Sequence, residues 1–237
     1  MKVLVIPDVH LKPEMFYRAS EIMRQGIADR AVCLMDIADD WNKQYDIDLY
    51  EETYDAAISF AKKYPETFWC YGNHDVSYIW HMPESGYSSM ASATVQKKLM
   101  ELKEILPENN PIKYVQRIDN VLFSHAGVGD YFVSEYVPEE KYDNVDEVID
   151  IINSLGANEM WNDASPIWLR PQDFNIRMYK GAELLQVVGH TPVEEIIREN
   201  NIISCDTFST YSDGGMIGTE EYLVLDTESW ECQRVKR

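Results

Sequence analysis

Five times along this chain of 237 residues, a short apolar run stops at a cluster of Asp, His, Asn and Gly. Residues 2–6 lead into Asp8-Val9-His10, and residues 31–35 into Asp36-Ile37-Ala38-Asp39. Residues 67–71 meet Gly72-Asn73-His74-Asp75, a run closing at Ser124 meets His125-Ala126-Gly127, and residues 185–188 meet Gly189-His190-Thr191. Short runs rich in β-branched residues have the pattern of buried strands. In α/β sheets, ligand sites form beyond the carboxyl ends of strands, so these ends can converge on one crevice.

The intervening segments set the class. Residues 13–26 carry apolar side chains at helical spacing, with Gly26 placed to stop the helix, and residues 46–63 predict a longer one. With the first three strands, this β-α-β-α-β rhythm predicts a parallel sheet covered by helices on both faces. The rhythm then breaks. Residues 76–113 predict a loop rich in Ser, Gly and Met and a helix over 93–106, and residues 115–124 two strands turning near Asp119-Asn120. Residues 129–183 are aromatic and acidic, with one helix near 146–155; strands return at 185–188, 202–205 and 222–225. No repeat or linker divides the chain. Residues 1–237 are expected to form one domain, with insertions at 76–113 and 129–183 near the site, where specificity tends to reside.

Charge narrows the choice of partners. With 41 acidic against 21 basic residues, the formal net charge is -20. Such a chain repels phosphate backbones and anionic membranes at long range, so neither nucleic acid nor membrane is an expected partner. A small phosphorylated substrate is still allowed, because bound metal ions reverse the field locally. The four cysteines, Cys33, Cys70, Cys205 and Cys232, are scattered singly and read as small buried thiols in a reducing compartment. The apolar run at residues 3–6 is far too short for a signal peptide or a membrane span, and the expected location is cytoplasmic.

The chain has five histidines, and four of them lie in these motifs. One histidine after a strand is more often a satisfied structural residue than a ligand; four beside Asp, Asn or Gly are hard to assign to chance. The order D-x-H, D-x-x-D, G-N-H-D, H-A-G and G-H-T resembles the calcineurin-like metallophosphoesterase superfamily. Within it, the branch of phosphoprotein phosphatases and diadenosine tetraphosphatases is the nearest. The resemblance implies a four-layer α/β/β/α sandwich of two mixed β-sheets flanked by helices. It also implies that Asp8 and His10 bind a first metal, that Asp36 bridges two metals, and that Asn73, His125 and His190 bind the second. His74 would be the general acid, with Asp39 orienting its imidazole. The segment Pro166-Ile167-Trp168-Leu169-Arg170 is similar to the family's W-x-R element, which makes Arg170 the expected phosphate clamp.

The chemistry of the donors points the same way. Imidazole, carboxylate and amide oxygen without thiolate suit two divalent ions, Mn²⁺ first, with Fe or Zn²⁺ as alternatives. Two ions about 3.5–4 Å apart activate a bridging water and clamp the oxygens of an in-line displacement. Two such ions, two aspartates and one hydroxide leave a formal charge of about +1, which Arg170 raises to about +2, a match for a phosphomonoester dianion.

Three positions depart from the family pattern. Met35 replaces the usual glycine before the bridging aspartate. Asp40-Trp41 stands where the phosphatases carry a second phosphate-binding arginine, a role left to Arg177 or Arg117 if anything fills it. Pro192 replaces a second histidine after G-H-x. Asp40 and Trp41 read either as parts of a leaving-group pocket or as a solvated carboxylate and a packed ring. His81 reads as a loop residue and Asp206 as structural or supporting. Tyr131, Tyr136, Tyr142, Trp161 and Trp168 read as core or rim, or as an aromatic wall.

The expected activity is metal-dependent hydrolysis of phosphate monoesters by a dimetal-bridging hydroxide. The substrate would be a phosphorylated small molecule, a nucleotide or a phosphoprotein. A phosphodiesterase and a non-catalytic binding module on the same fold are the rival readings.

Overall fold

The computed structural model describes residues 1–172 and 175–236; the expected segment 129–183 therefore contains two positions outside the described residues, as does position 237 of the expected domain. In chain order the elements are β1 (Lys2–Ile6), α1 (Glu14–Arg24), β2 (Arg30–Cys33), α2 (Ile47–Lys63) and β3 (Phe68–Trp69). Next come α3 (Asn73–Trp80), α4 (Ser92–Ile105), β4 (Val115–Ile118), β5 (Val121–Ser124), α5 (Asp130–Tyr136), α6 (Val145–Ser154) and α7 (Ala157–Met160). The chain then runs through β6 (Leu185–Val188), β7 (Ile197–Glu199), β8 (Ile202–Ser204), β9 (Glu221–Asp226) and β10 (Cys232–Lys236).

The strands form two five-stranded sheets, ordered β10-β9-β1-β2-β3 and β4-β5-β6-β8-β7. Both are mixed. In the first, β1, β2 and β3 are parallel while β9 runs antiparallel to β1 and β10. In the second, β5, β6 and β8 are parallel between antiparallel edges β4 and β7.

The period-2 alternation of strand side chains decides which layer covers which face. From β1, Val3 and Val5 enter a core shared with Val121, Phe123, Leu185 and Val187 of the second sheet. Leu4 and Ile6 point the other way, into a core with Phe16 and Ile22 of α1 and Tyr54 and Phe60 of α2. The outer face of the second sheet is covered by α5, α6 and α7, through Phe132, Val148, Ile152 and Met160. The result is the α/β/β/α sandwich. It corrects the simpler expectation from the β-α-β rhythm: one face of the first sheet is covered by the second sheet, not by helices. An all-apolar strand reads the same under either cover.

Local chemistry sets the helix ends. Asp46 caps α2 by accepting the Leu49 amide at 3.3 Å, and Gly26, at φ 68°, stops α1. The strands β7 and β10 escape sequence reading because they are largely exposed edges without apolar alternation. Cys33, Cys70 and Cys205 are buried as expected; Cys232, on β10, is exposed. Among the described residues no helix is long and apolar enough to cross a membrane.

Candidate active site

The loops after β1 and β2 are tied together by their backbones. The amides of His10 and Leu11 donate to the carbonyls of Asp36 (2.8 Å) and Ile37 (3.1 Å). The turns are tight enough to drive non-glycine residues to positive φ: His10 at 42°, Met35 at 59°, Asp36 at 41°, Asp39 at 64° and His190 at 61°. Met35 thus keeps the left-handed backbone for which the related motif uses glycine, at a cost of about 1–2 kcal/mol. The glycines of G-N-H-D and G-H-T have a different duty. A Cβ on Gly72 would lie 2.0 Å from Oδ1 of Asp36, and one on Gly189 would lie 1.9 Å from Oδ1 of Asp8. Only a bare backbone lets those carboxylates lie there.

The G-N-H-D motif itself begins α3, which sequence reading took for loop. The Asp75 carboxylate accepts the Gly72 amide at 3.3 Å, the Ile37 amide at 3.2 Å and the Tyr54 hydroxyl at 3.2 Å. It therefore caps the helix and joins two site loops through one buried group.

Six of the residues singled out from sequence come together here. Ligand atoms of Asp8, His10 and Asp36 lie within 4.8 Å of one another, as do those of Asp36, His125 and His190. The two groups share Asp36. Nδ1 of His10 donates to the Asp39 carbonyl at 2.8 Å, and Nδ1 of His125 donates to the Leu34 carbonyl at 2.9 Å. Each bond fixes the tautomer and frees Nε2 for a cation. Nε2 of His125 lies 3.0 Å from Oδ1 of Asn73 and 3.1 Å from Oδ2 of Asp36. Nε2 of His190 is buried with no hydrogen-bond partner, and the ring offers one nitrogen to the second donor group. These oxygen and nitrogen donors fit a pair of divalent cations.

Electrostatics show how strongly the cluster needs positive charge. Burial, with Asp206 beside it, pushes the Asp8 carboxyl well above its ordinary range. Burial also acts against protonating His125, yet the Asp36 and Asp8 charges hold its pKa up at about 10. Asp36, despite burial, is held well below the usual carboxylate range by His125 and His74.

His74 faces the same space. Its Nδ1 is 2.9 Å from Oδ2 of Asp39, and its amide donates to Oδ1 of Asp36 at 2.9 Å. Burial alone would lower its pKa, but Asp36 and the bond to Asp39 push it up to about 10. Tyr50 (2.8 Å) and Tyr78 (2.5 Å) both donate to Oδ1 of Asp39, leaving Oδ2 to the imidazole. Sequence reading missed both tyrosines, because Tyr50 lies on the apolar face of α2 and looks like core. It also missed Glu84, whose two carboxylate oxygens each lie 2.8 Å from Nδ2 of Asn73. Burial lifts Glu84 to about 7.

A cleft of about 190 Å³ opens beside His10, His74 and His190, and Arg170 lines it. Nη1 of Arg170 donates to the Thr191 hydroxyl at 3.2 Å. Asp40 and Trp41 also line the cleft, and the alternative of a solvated carboxylate beside a packed ring is reversed. The Asp40 carboxylate is engaged, accepting from Thr210 (3.0 Å), the Trp41 amide (2.8 Å) and Lys12 (3.4 Å). The Trp41 ring is the free group, 50% exposed.

Arg117 pairs with Asp146 and Arg177 with Asp130, and neither is among the described residues lining the cleft. His81 sits at the end of α3, exposed, 3.4 Å from Gln96. Asp206 is buried and accepts from the Ser209 hydroxyl at 2.8 Å. Of the aromatic residues, Trp161 packs edge-on against Trp168, which packs edge-on against His190; Tyr131 is 69% exposed.

Two facing mixed sheets, with clustered metal donors at their strand ends, define the metallophosphoesterase class of hydrolase. The chain belongs to the calcineurin-like phosphoesterase family, whose profile matches residues 1–215. Membership implies a dinuclear divalent metal site. Among solved structures, the chain is similar to a cold-active protein-tyrosine phosphatase of a psychrophilic Shewanella species. That match has a TM-score of 0.56 and 17% identity, covering 99% of this chain and 80% of the other. It is also similar to a serine/threonine phosphatase from Saccharomyces cerevisiae with similarity to human phosphatase PP5 (TM-score 0.53, 12% identity, 100% and 80% coverage). At these identities the likeness speaks for the fold alone. No curated protein sequence matches the chain.

Proposed function

We propose that the chain hydrolyses phosphate monoesters at this cleft. The observation that carries the reading is the pair of donor clusters sharing Asp36, with the His74–Asp39 pair at their edge. Asp8 and His10 would hold one ion, Asn73, His125 and His190 the other, and Asp36, common to both groups, would serve both. When bound, the two ions supply a nucleophile from water at neutral pH and positive charge for the phosphoryl oxygens. Arg170 orients the phosphate from the cleft wall. His74, held by Asp39, delivers a proton to the departing ester oxygen. Mn²⁺ is the first choice of ion, with Fe or Zn²⁺ next. The substrate class is a phosphorylated small molecule, nucleotide or phosphoprotein.

The test compares p-nitrophenyl phosphate with its bis-ester under Mn²⁺, Fe²⁺ and Zn²⁺, before and after chelation. Monoester turnover that chelator abolishes is expected. Faster diester cleavage would move the reading to a phosphodiesterase, and a folded protein inert with all three metals would sink it.

Two further results are expected. Filling the site relieves the crowding of Asp8, Asp36 and Asp206, so Mn²⁺ at about 100 times its dissociation constant should add about 2.7 kcal/mol. For a chain of this size that raises the melting temperature by about 5–10 °C, read by scanning fluorimetry against an EDTA-treated sample. Second, the exposed Trp41 ring offers an aromatic leaving group a surface worth about 0.5–1.5 kcal/mol. Trp41→Ala should raise KM for p-nitrophenyl phosphate about 2- to 10-fold. Glycerol phosphate should be unaffected; an equal rise for both would remove the ring from substrate recognition.

A further inference from the structure

We infer that Glu84 is a positioning residue of the metal centre: it fixes the Asn73 amide so that oxygen, not nitrogen, faces the second ion. The inference rests on the metal-centre reading above.

A side-chain amide has nearly the same shape in its two flipped orientations, but only one presents an acceptor to a cation. The flipped form would aim two N–H donors at the ion. Something must therefore hold the nitrogen away, and at Asn73 that partner is Glu84, with both oxygens 2.8 Å from Nδ2. The carboxyl group suits the task, because each of its two oxygens offers an acceptor to that nitrogen. On the other side, Oδ1 of Asn73 lies 3.0 Å from Nε2 of His125, the atom that the Leu34 bond frees for the same ion. Asn73 is 1% exposed, so no bulk water competes for its amide.

The segment bearing Glu84 is itself held. The Ser88 amide donates to the Tyr78 hydroxyl at 2.8 Å, and the Ser88 hydroxyl donates to the Gln44 carbonyl at 2.5 Å. Tyr87 stacks on Tyr78 with ring centroids 4.3 Å apart. Tyr78 also donates to Asp39, so one tyrosine supports both the Glu84 segment and the partner of His74. Glu84 is thus placed by packing on a rigid neighbour, which a positioning group requires.

The experiment titrates the EDTA-stripped full chain with Mn²⁺, following free Mn²⁺ by its EPR signal. Removing a group that orients a metal ligand typically weakens binding 10- to 100-fold, and Glu84→Ala should weaken one site by about that factor. Glu84→Gln keeps an acceptor for Nδ2 and should recover most of the loss. An alanine variant with wild-type affinity would overturn the inference, as would a glutamine variant as weak as alanine.

An Asn73→Asp background supplies a second measurement, because a carboxylate presents oxygen whichever way it turns. There Glu84→Ala should cost no affinity; a loss as large as in the parent would also count against positioning. A wild-type chain that takes up no Mn²⁺ would overturn the metal-centre reading itself, before any variant is compared.

Discussion

His74→Asn is expected to lower monoester turnover by roughly 10²–10⁴-fold, the usual contribution of a positioned proton donor. The loss should appear in kcat, with KM and bound metal nearly unchanged. The reason is local. The amide of His74 holds Oδ1 of Asp36 at 2.9 Å, and that bond belongs to the backbone, so it survives the substitution. Only the imidazole between Asp39 and the cleft is removed. The activity readout is a pair of esters: p-nitrophenyl phosphate should suffer less than an alkyl phosphate, whose leaving oxygen needs the proton more. Equal loss on both esters would assign His74 to metal or phosphate binding instead, and near-native turnover would remove it from the mechanism.

Asp36→Asn should have an effect at least as large. The carboxylate is shared by both donor clusters, and asparagine offers one neutral oxygen where two charged ones stood. Losing charge stabilisation worth several kcal/mol corresponds to roughly 10³-fold or more in rate. Metal analysis should find fewer than two ions per chain. The asparagine oxygen can still accept the His74 amide, so the folded state is retained, and circular dichroism checks this. A variant that keeps two ions and turns over normally would displace Asp36 from the bridging position.

Much of this arrangement is legible in the sequence because the chemistry sits at discontinuities. Asp8, Asp36, Asn73, His125 and His190 each lie within two residues of the end of an apolar run, so the strand end and the donor announce each other. Residues 115–124 likewise show two strands and a turn, and the structure has β4 and β5 there.

What sequence reading misses lacks such contrast. Tyr50 and Tyr78 support Asp39 from inside apolar helix faces, where a hydroxyl does not stand out from a core ring. Glu84 lies in a Ser- and Gly-rich loop, and nothing in its spacing ties it to Asn73. The stacking of sheet on sheet is hidden for the same reason, since Val3 and Leu4 are equally apolar but face different layers. Trp41 and Asp40 exchange their expected exposure because Thr210 and Lys12, distant or neutral in sequence terms, capture the carboxylate.

The place of β1 in the first sheet has a consequence for how the protein is made. Its register partners are β2 on one side and β9, at Glu221–Asp226, on the other. At about 5–20 residues per second, β9 leaves the ribosome roughly 10–40 s after β1. During that interval β1 has an open edge, and the valines it turns toward the second sheet lack Leu185, Val187, Leu223 and Leu225. Asp8 and His10 hang from this unfinished strand, so the chain spends most of its synthesis with the two halves of its metal centre apart. The last donor, His190, follows β6, so the full donor set exists only late in synthesis.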